Sequence, residues 1–219
     1  MKILLTIPPS NIEEQYGSLA KAAPELPPLG LAFIAKYMRQ HGVEVDIRDF
    51  SVEKNGPGKF FPGIVDYDVV GMPVFITTVP NVVNFAKLIK QKNPKAIIVT
   101  GGPHATLFAG DLFLDCIDVI IKGEGEAAFY EIASEIAGGS VDFSRIKGVY
   151  FRKGKDFMFT GERELYKDID GIGAPLIEKF ELSSYYPPIH VLGKKVVHTL
   201  TSRGCPYDCK FCAATEIFK

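Results

Sequence analysis

Short apolar runs alternate with amphipathic helical stretches through residues 1–140, and this alternation constrains the fold more than any other feature. AIIVT (96–100) has no polar face, as expected of a strand covered on both sides. KILLTIP (2–8), VEVDIRD (43–49), DVVGMPVF (68–75) and DVIIKG (118–123) read as further strands. LGLAFIAKYMRQHG (29–42) sets Leu31, Ile34, Ala35 and Met38 on one helical face and ends at Gly42. NVVNFAKLIKQKNP (81–94) aligns Val82, Phe85, Ala86 and Ile89 and stops before Pro94. EAAFYEIASEIAGG (126–139) aligns Phe129, Ile132, Ala133 and Ile136 before a Gly-Gly stop. A shorter helix is expected between Ala105 and Asp115. The pattern predicts an α/β fold: a doubly wound, flavodoxin-like, parallel five-stranded sheet in the order 2-1-3-4-5, with right-handed crossovers.

The pattern changes after Gly139. IKGVYFRKGKDFMFTGE (146–162) reads as a hairpin around KGK, and DIDGIGAPLIEKFELSSYYPP (168–188) as a connector wrapped along a surface. KKVVHTLTSRG (194–204) is expected to begin a new strand. The organisation so read is a Rossmann-like domain over 1–140, a hairpin and linker over 141–190, and the start of a second domain over 191–219.

Lys and Arg total 25 against 26 acids, so no broad basic surface for nucleic acid is expected. No apolar stretch approaches the length of a membrane span, and the opening KILLTIP is too short for a signal peptide. Cys116 stands alone, and the other three cysteines lie close together near residue 210, which suits a reducing cytoplasm better than a disulfide framework.

An open parallel sheet binds ligands beyond the carboxyl ends of its strands. The third strand is followed there by ITTVP, the fourth by GGPHAT and the fifth by GEGEA, while a long loop (8–28) follows the first. Thr77 and Thr78 offer hydroxyls at a helix start. Gly101 and Gly102, followed by Pro103, and Gly123 and Gly125, flanking Glu124, let backbone approach a bulky ligand. A single such glycine often just turns the chain, but two glycine loops after adjacent strands favour a ligand. His104 is either a ligand contact or a cap of the following helix. No G-x-G-x-x-G follows the first strand and no P-loop is present.

TSRGCPYDCKFCAAT (201–215) places Cys205, Cys209 and Cys212 on one loop. Three thiolates are what a four-iron cluster needs if one iron is to remain open, with Arg203 and Lys210 offsetting its negative charge. Zinc with His198 as a fourth ligand, or unligated thiols, also fit the spacing.

TSRGCPYDCKFC resembles the cluster motif of radical S-adenosylmethionine (SAM) enzymes. PPLGLAFIAKYMRQHG, TGGPHAT and KGEGEAAFYEI resemble the cobalamin-binding domain of one large subclass of them. The resemblance implies that Cys205, Cys209 and Cys212 hold a 4Fe-4S cluster, that SAM chelates its open iron, and that Phe211 packs near adenine. It implies that Thr77, Thr78, Gly101, Gly102, Pro103, Gly123, Glu124 and Gly125 face cobalamin. No D-x-H-x-x-G occurs and RDFSVEKNG has no histidine, so the sequence offers no ligand for the lower face of cobalt.

The implied activity is generation of a 5′-deoxyadenosyl radical for methyl transfer or rearrangement at an unactivated carbon. An unidentified substrate and a reductant such as flavodoxin or ferredoxin would be the partners. The chain reads as cut just after the cysteine loop, and alone it is expected to be inactive and to hold no stable cluster. The alternatives are a cobalamin- or partner-binding module without catalysis, and a tRNA methylthiotransferase, which normally has three further cysteines in this domain.

Overall fold

The computed structural model describes residues 1–10, 17, 26–52, 61–185 and 197–218. Its centre is a seven-stranded sheet in the order β2-β1-β3-β4-β5-β6-β7. The strands are β1 (Ile3–Ile7), β2 (Asp46–Asp49), β3 (Val69–Pro73), β4 (Ile97–Gly101), β5 (Val119–Ile121), β6 (Val149–Lys153) and β7 (Asp156–Phe159). The first five are parallel and follow the expected order. The helices are α1 (Leu29–Gln40), α2 (Phe61–Ile64), α3 (Val79–Lys92), α4 (Pro103–Leu107), α5 (Glu126–Ala137), α6 (Ile169–Ile172) and α7 (Ala214–Ile217).

Side chains alternate across the strands, so the sheet feeds two cores. Leu5, Val69, Val99 and Val119 pack with Leu31, Ala35 and Met38 of α1 and with Phe129 and Ile132 of α5. Leu4, Val70, Ile98 and Ile120 pack on the other side with Val82, Phe85 and Ile89 of α3. Both faces are covered, which is why these strands read as continuous apolar runs. Gly71 lies in β3 where a Cβ would sit 2.6 Å from the Phe129 ring and 2.8 Å from Leu5, so α5 rests directly on the sheet.

Three features differ from the sequence reading. The hairpin is no separate appendage: β6 pairs antiparallel with β5, Val119 opposite Phe151 and Ile121 opposite Val149, and β7 becomes the sheet edge. An open parallel sheet leaves the β5 edge unpaired, and the hairpin satisfies it. The helix expected between Ala105 and Asp115 is broken into α4 and a 3-10 turn at Ala109–Leu112. Residues 197–204 form no strand, and 194–196 lie outside the described residues.

The connector does wrap along a surface. Ile172 is buried with Leu29 and Phe33, while Phe180 and Tyr185 pack on Ala32. The second face of α1 is thereby buried as well, a wider stripe than the one sheet-facing row of residues required. No helix among the described residues is long and apolar enough to cross a membrane.

Candidate functional site

The carboxyl ends of β1, β3, β4 and β5 open onto a cleft of about 360 Å³. One wall is the loop after β4, with Gly101, Gly102 and Pro103, continued by Gly123, Glu124 and Gly125 after β5. Leu29, Phe33 and Ile34 at the start of α1 line it too, with the exposed Phe75 and the buried Gly71 and Phe129. Leu200, Arg203, Ile217 and Phe218 close over it from the cysteine-bearing segment.

The two glycine loops are built as a unit. Gly101 O accepts the Val74 N–H at 2.8 Å, and Val74 O accepts the His104 N–H at 3.0 Å, so the turn is stitched to the extension of β3. Gly102 has φ +91°, and a Cβ there would stand 3.4 Å from the Val74 backbone; only glycine passes here without strain. The Thr106 hydroxyl donates to Gly102 O at 2.9 Å and accepts the Gly123 N–H at 3.0 Å, bridging the loops. At Gly125 a Cβ would meet Ile34 at 3.1 Å, so α1 and α5 approach closely beside the cleft.

Charge in the described lining is confined to Glu124, Glu126 and Arg203. Arg203 Nη1 donates to Glu124 Oε1 at 3.0 Å and Nη2 donates to Glu126 Oε1. The second Glu124 oxygen accepts the Tyr166 N–H at 2.6 Å. The guanidinium lies 5.0 Å from the centre of the Phe33 ring. Burial works against its charge, but Glu126 and Glu124 outweigh that, and its pKa is raised. Arg203 was expected to offset an anionic cluster; its charge is instead committed to the α/β domain. Apart from the Thr100 hydroxyl, the described lining therefore offers no unpaired acid, base or nucleophile, and it is suited to covering an apolar surface.

Other expected residues lie elsewhere. The Thr78 hydroxyl closes its own turn with the Phe75 backbone, and Thr77 is exposed; neither lines the cleft. His104 is buried behind the glycine loop, with Nε2 3.1 Å from Asp111 Oδ2, an ion-pair distance without hydrogen-bond geometry. Phe211 is 93% exposed. Cys205, Cys209 and Cys212 are exposed free thiols, and Lys210 is exposed beside them. Among the described residues no three His, Cys, Asp or Glu side chains are grouped to hold a metal ion. Gly71 was not singled out in the sequence, whereas Thr106, Glu126, Phe129 and the start of α1 fall within the stretches that carry the resemblance without having been named as site residues. A glycine inside an apolar strand was the available signal for Gly71.

Glycine loops walling an apolar cleft at the carboxyl ends of a doubly wound sheet define a cofactor-binding α/β domain. The chain belongs to the B12-binding-domain family, whose profile matches residues 17–133. It is 30% identical over its whole length to an uncharacterised methyltransferase of Pyrococcus horikoshii, of which it spans 46%. It is homologous to the cobalamin-dependent radical SAM methyltransferase TokK of Streptomyces tokunonensis, at 28% identity over 68% of this chain and 22% of that protein. The fold matches that of the radical SAM methyltransferase TsrM from Kitasatospora setae, solved with cobalamin and a 4Fe-4S cluster. There the TM-score is 0.70 at 19% identity, covering all of this chain and 42% of that one. The chain thus spans less than half of these relatives.

The lining has features that would suit one face of cobalamin. The cleft is apolar, its wall is kept free of side chains by Gly101, Gly102, Gly123 and Gly125, and Thr100, which lines it, carries a buried hydroxyl without a partner. No histidine is among the described lining residues.

Proposed function

We propose that this chain is the cobalamin-binding region of a radical SAM enzyme that transfers a methyl group to, or rearranges, an unactivated carbon. The observation that carries the reading is the pair of glycine loops, tied together by Thr106 and facing an apolar cleft that the cysteine-bearing segment covers. Gly101–Pro103 and Gly123–Gly125 would bear on one side of cobalamin, and Leu29 and Phe33 would exclude water on the other. Cobalamin, when bound, supplies the methyl-transfer chemistry that no described lining side chain can perform. The cluster reading rests on the spacing of Cys205, Cys209 and Cys212 and on the homologues. SAM, a substrate and a reductant such as flavodoxin or ferredoxin belong to this proposal, as do a reducing cytoplasm and a second domain beginning near 191.

Gly101→Val tests the cofactor reading. A Cβ at Gly101 would stand an ordinary 3.6 Å from Ile121, so the fold tolerates it while the added methyl groups narrow the cleft. In a visible-absorbance titration with hydroxocobalamin, the variant should bind at least about tenfold more weakly, since affinity depends on preorganised enclosure. Equal binding by wild type and variant would place the ligand elsewhere. Iron–sulfide reconstitution with iron counting, compared between wild type and Cys209→Ala, tests the cluster.

A further inference from the structure

We propose that Arg203 is a positioning residue: gripped by Glu124 and Glu126, it holds the segment leading into Cys205 across the mouth of the cofactor cleft. The loop after β5 and the cysteine loop then move as one unit. This rests on the reading of the cleft as a cobalamin site.

The grip joins residues 79 and 77 positions apart in the chain and leaves the three side chains 8–11% exposed. Glu124 and Glu126 each take a separate guanidinium nitrogen, a fork that a lysine ammonium cannot reproduce. Two buried carboxylates one residue from adjacency repel each other unless a cation sits between them. Without Arg203 the arrangement therefore carries unpaired charge, and the segment has no reason to stay. Glu124 is itself a ligand-loop residue between Gly123 and Gly125, and Tyr166 pins its second oxygen, so Arg203 docks onto an anchored point.

The anchor is close to the cysteines. Gly204, with φ +81°, turns the chain between Arg203 and Cys205, and a Cβ there would lie 3.5 Å from Phe218. The segment thus folds back on itself: Leu200, Ile217 and Phe218 reach the cleft while Cys205, Cys209 and Cys212 project outward. With one glycine between anchor and first thiol, displacement of Arg203 must displace the cysteine loop.

Hydrogen exchange of peptides covering 197–218, together with hydroxocobalamin titration, tests this in the protein and in Arg203→Met, Arg203→Lys and the triple variant Arg203→Met/Glu124→Gln/Glu126→Gln. Arg203→Met should speed exchange of 197–218 by about tenfold or more while β1–β5 stay protected. It should weaken cobalamin binding about fivefold by removing one wall of the enclosure. Arg203→Lys should fall between. The triple variant, free of buried unpaired charge, should regain the wild-type unfolding midpoint yet keep fast exchange at 197–218, which a merely structural role would not produce. Unchanged exchange in Arg203→Met overturns the grip. Released peptides with unchanged or tighter cobalamin binding overturn the placement at the cleft. Failure of the wild type to bind hydroxocobalamin removes the cofactor reading, and with it the claim about the cleft, whatever the exchange shows.

Discussion

The hydroxyl of Thr106 accepts the Gly123 N–H at 3.0 Å, so a side chain from α4 holds the loop that follows β5. The same hydroxyl donates to Gly102 O, and Thr106 is buried. Replacing it with Val leaves the Gly123 N–H unpaired at the cleft wall, while Gly102 O keeps the Thr106 N–H at 2.9 Å. Thr106→Val should lower stability by about 1–2 kcal/mol, the cost of one N–H left without its partner. Thr106→Ser, which keeps both bonds, should lose less. Urea unfolding of the two variants checks this, and cobalamin affinity should fall further in Thr106→Val than in Thr106→Ser.

Gly71 permits Phe129 to lie against the sheet. A Cβ there meets the ring at 2.6 Å and Leu5 at 2.8 Å, and both residues are deeply buried. Gly71→Ala should cost about 2 kcal/mol through overpacking. Adding Phe129→Leu should recover part of it. A denaturant midpoint for Gly71→Ala equal to wild type would show that α5 can shift freely.

Asp49, at the end of β2, is buried, and its carboxyl accepts the Tyr185 hydroxyl at 3.0 Å from the connector. Burial raises its pKa, opposed by hydrogen bonds from Ser51 and Tyr185. The folded state therefore holds this proton more tightly than the unfolded chain does. Its contribution is most favourable below the ordinary aspartate value. It is lost as pH rises from about 4 through the raised folded-state pKa, and it is constant above that. The stability difference between Asp49→Asn and wild type should shift in favour of the variant across that window. Urea midpoints at several pH values between 3 and 8 (about that range suffices for a carboxylate) measure it.

The four thiols differ in environment. Cys205, Cys209 and Cys212 are exposed, whereas Cys116 is buried and burial raises its pKa. Since the thiolate is the nucleophile, brief iodoacetamide treatment followed by mass spectrometry should modify the first three and spare Cys116 until the protein is unfolded. Early modification of Cys116 would contradict its packing beneath α3.

The five parallel strands and their helices were legible because their signals are local. A period of 3.6 in EAAFYEIA and an unbroken apolar run in AIIVT each report which faces are buried, whatever the partner. That the glycine loops share one end of the sheet was legible as well, because successive parallel strands all finish at the same end, and both loops line one cleft there. Thr77, Thr78 and His104 look equivalent to those glycines in sequence. Whether a side chain turns into the cleft or into its own turn depends on rotamers and neighbours that spacing does not encode.

The sequence by itself determined the class of sheet, its order and the end at which its glycine loops gather, because burial period and strand-end chemistry are properties of a few adjacent residues. Only the tertiary structure decided that the hairpin completes the sheet at β5, that the connector buries the second face of α1, and that Arg203 pairs with Glu124 and Glu126. Each of these joins surfaces remote in the chain. An unpaired strand edge, an apolar helix face or a buried carboxylate states a need, and which distant group meets it is settled when the chain packs.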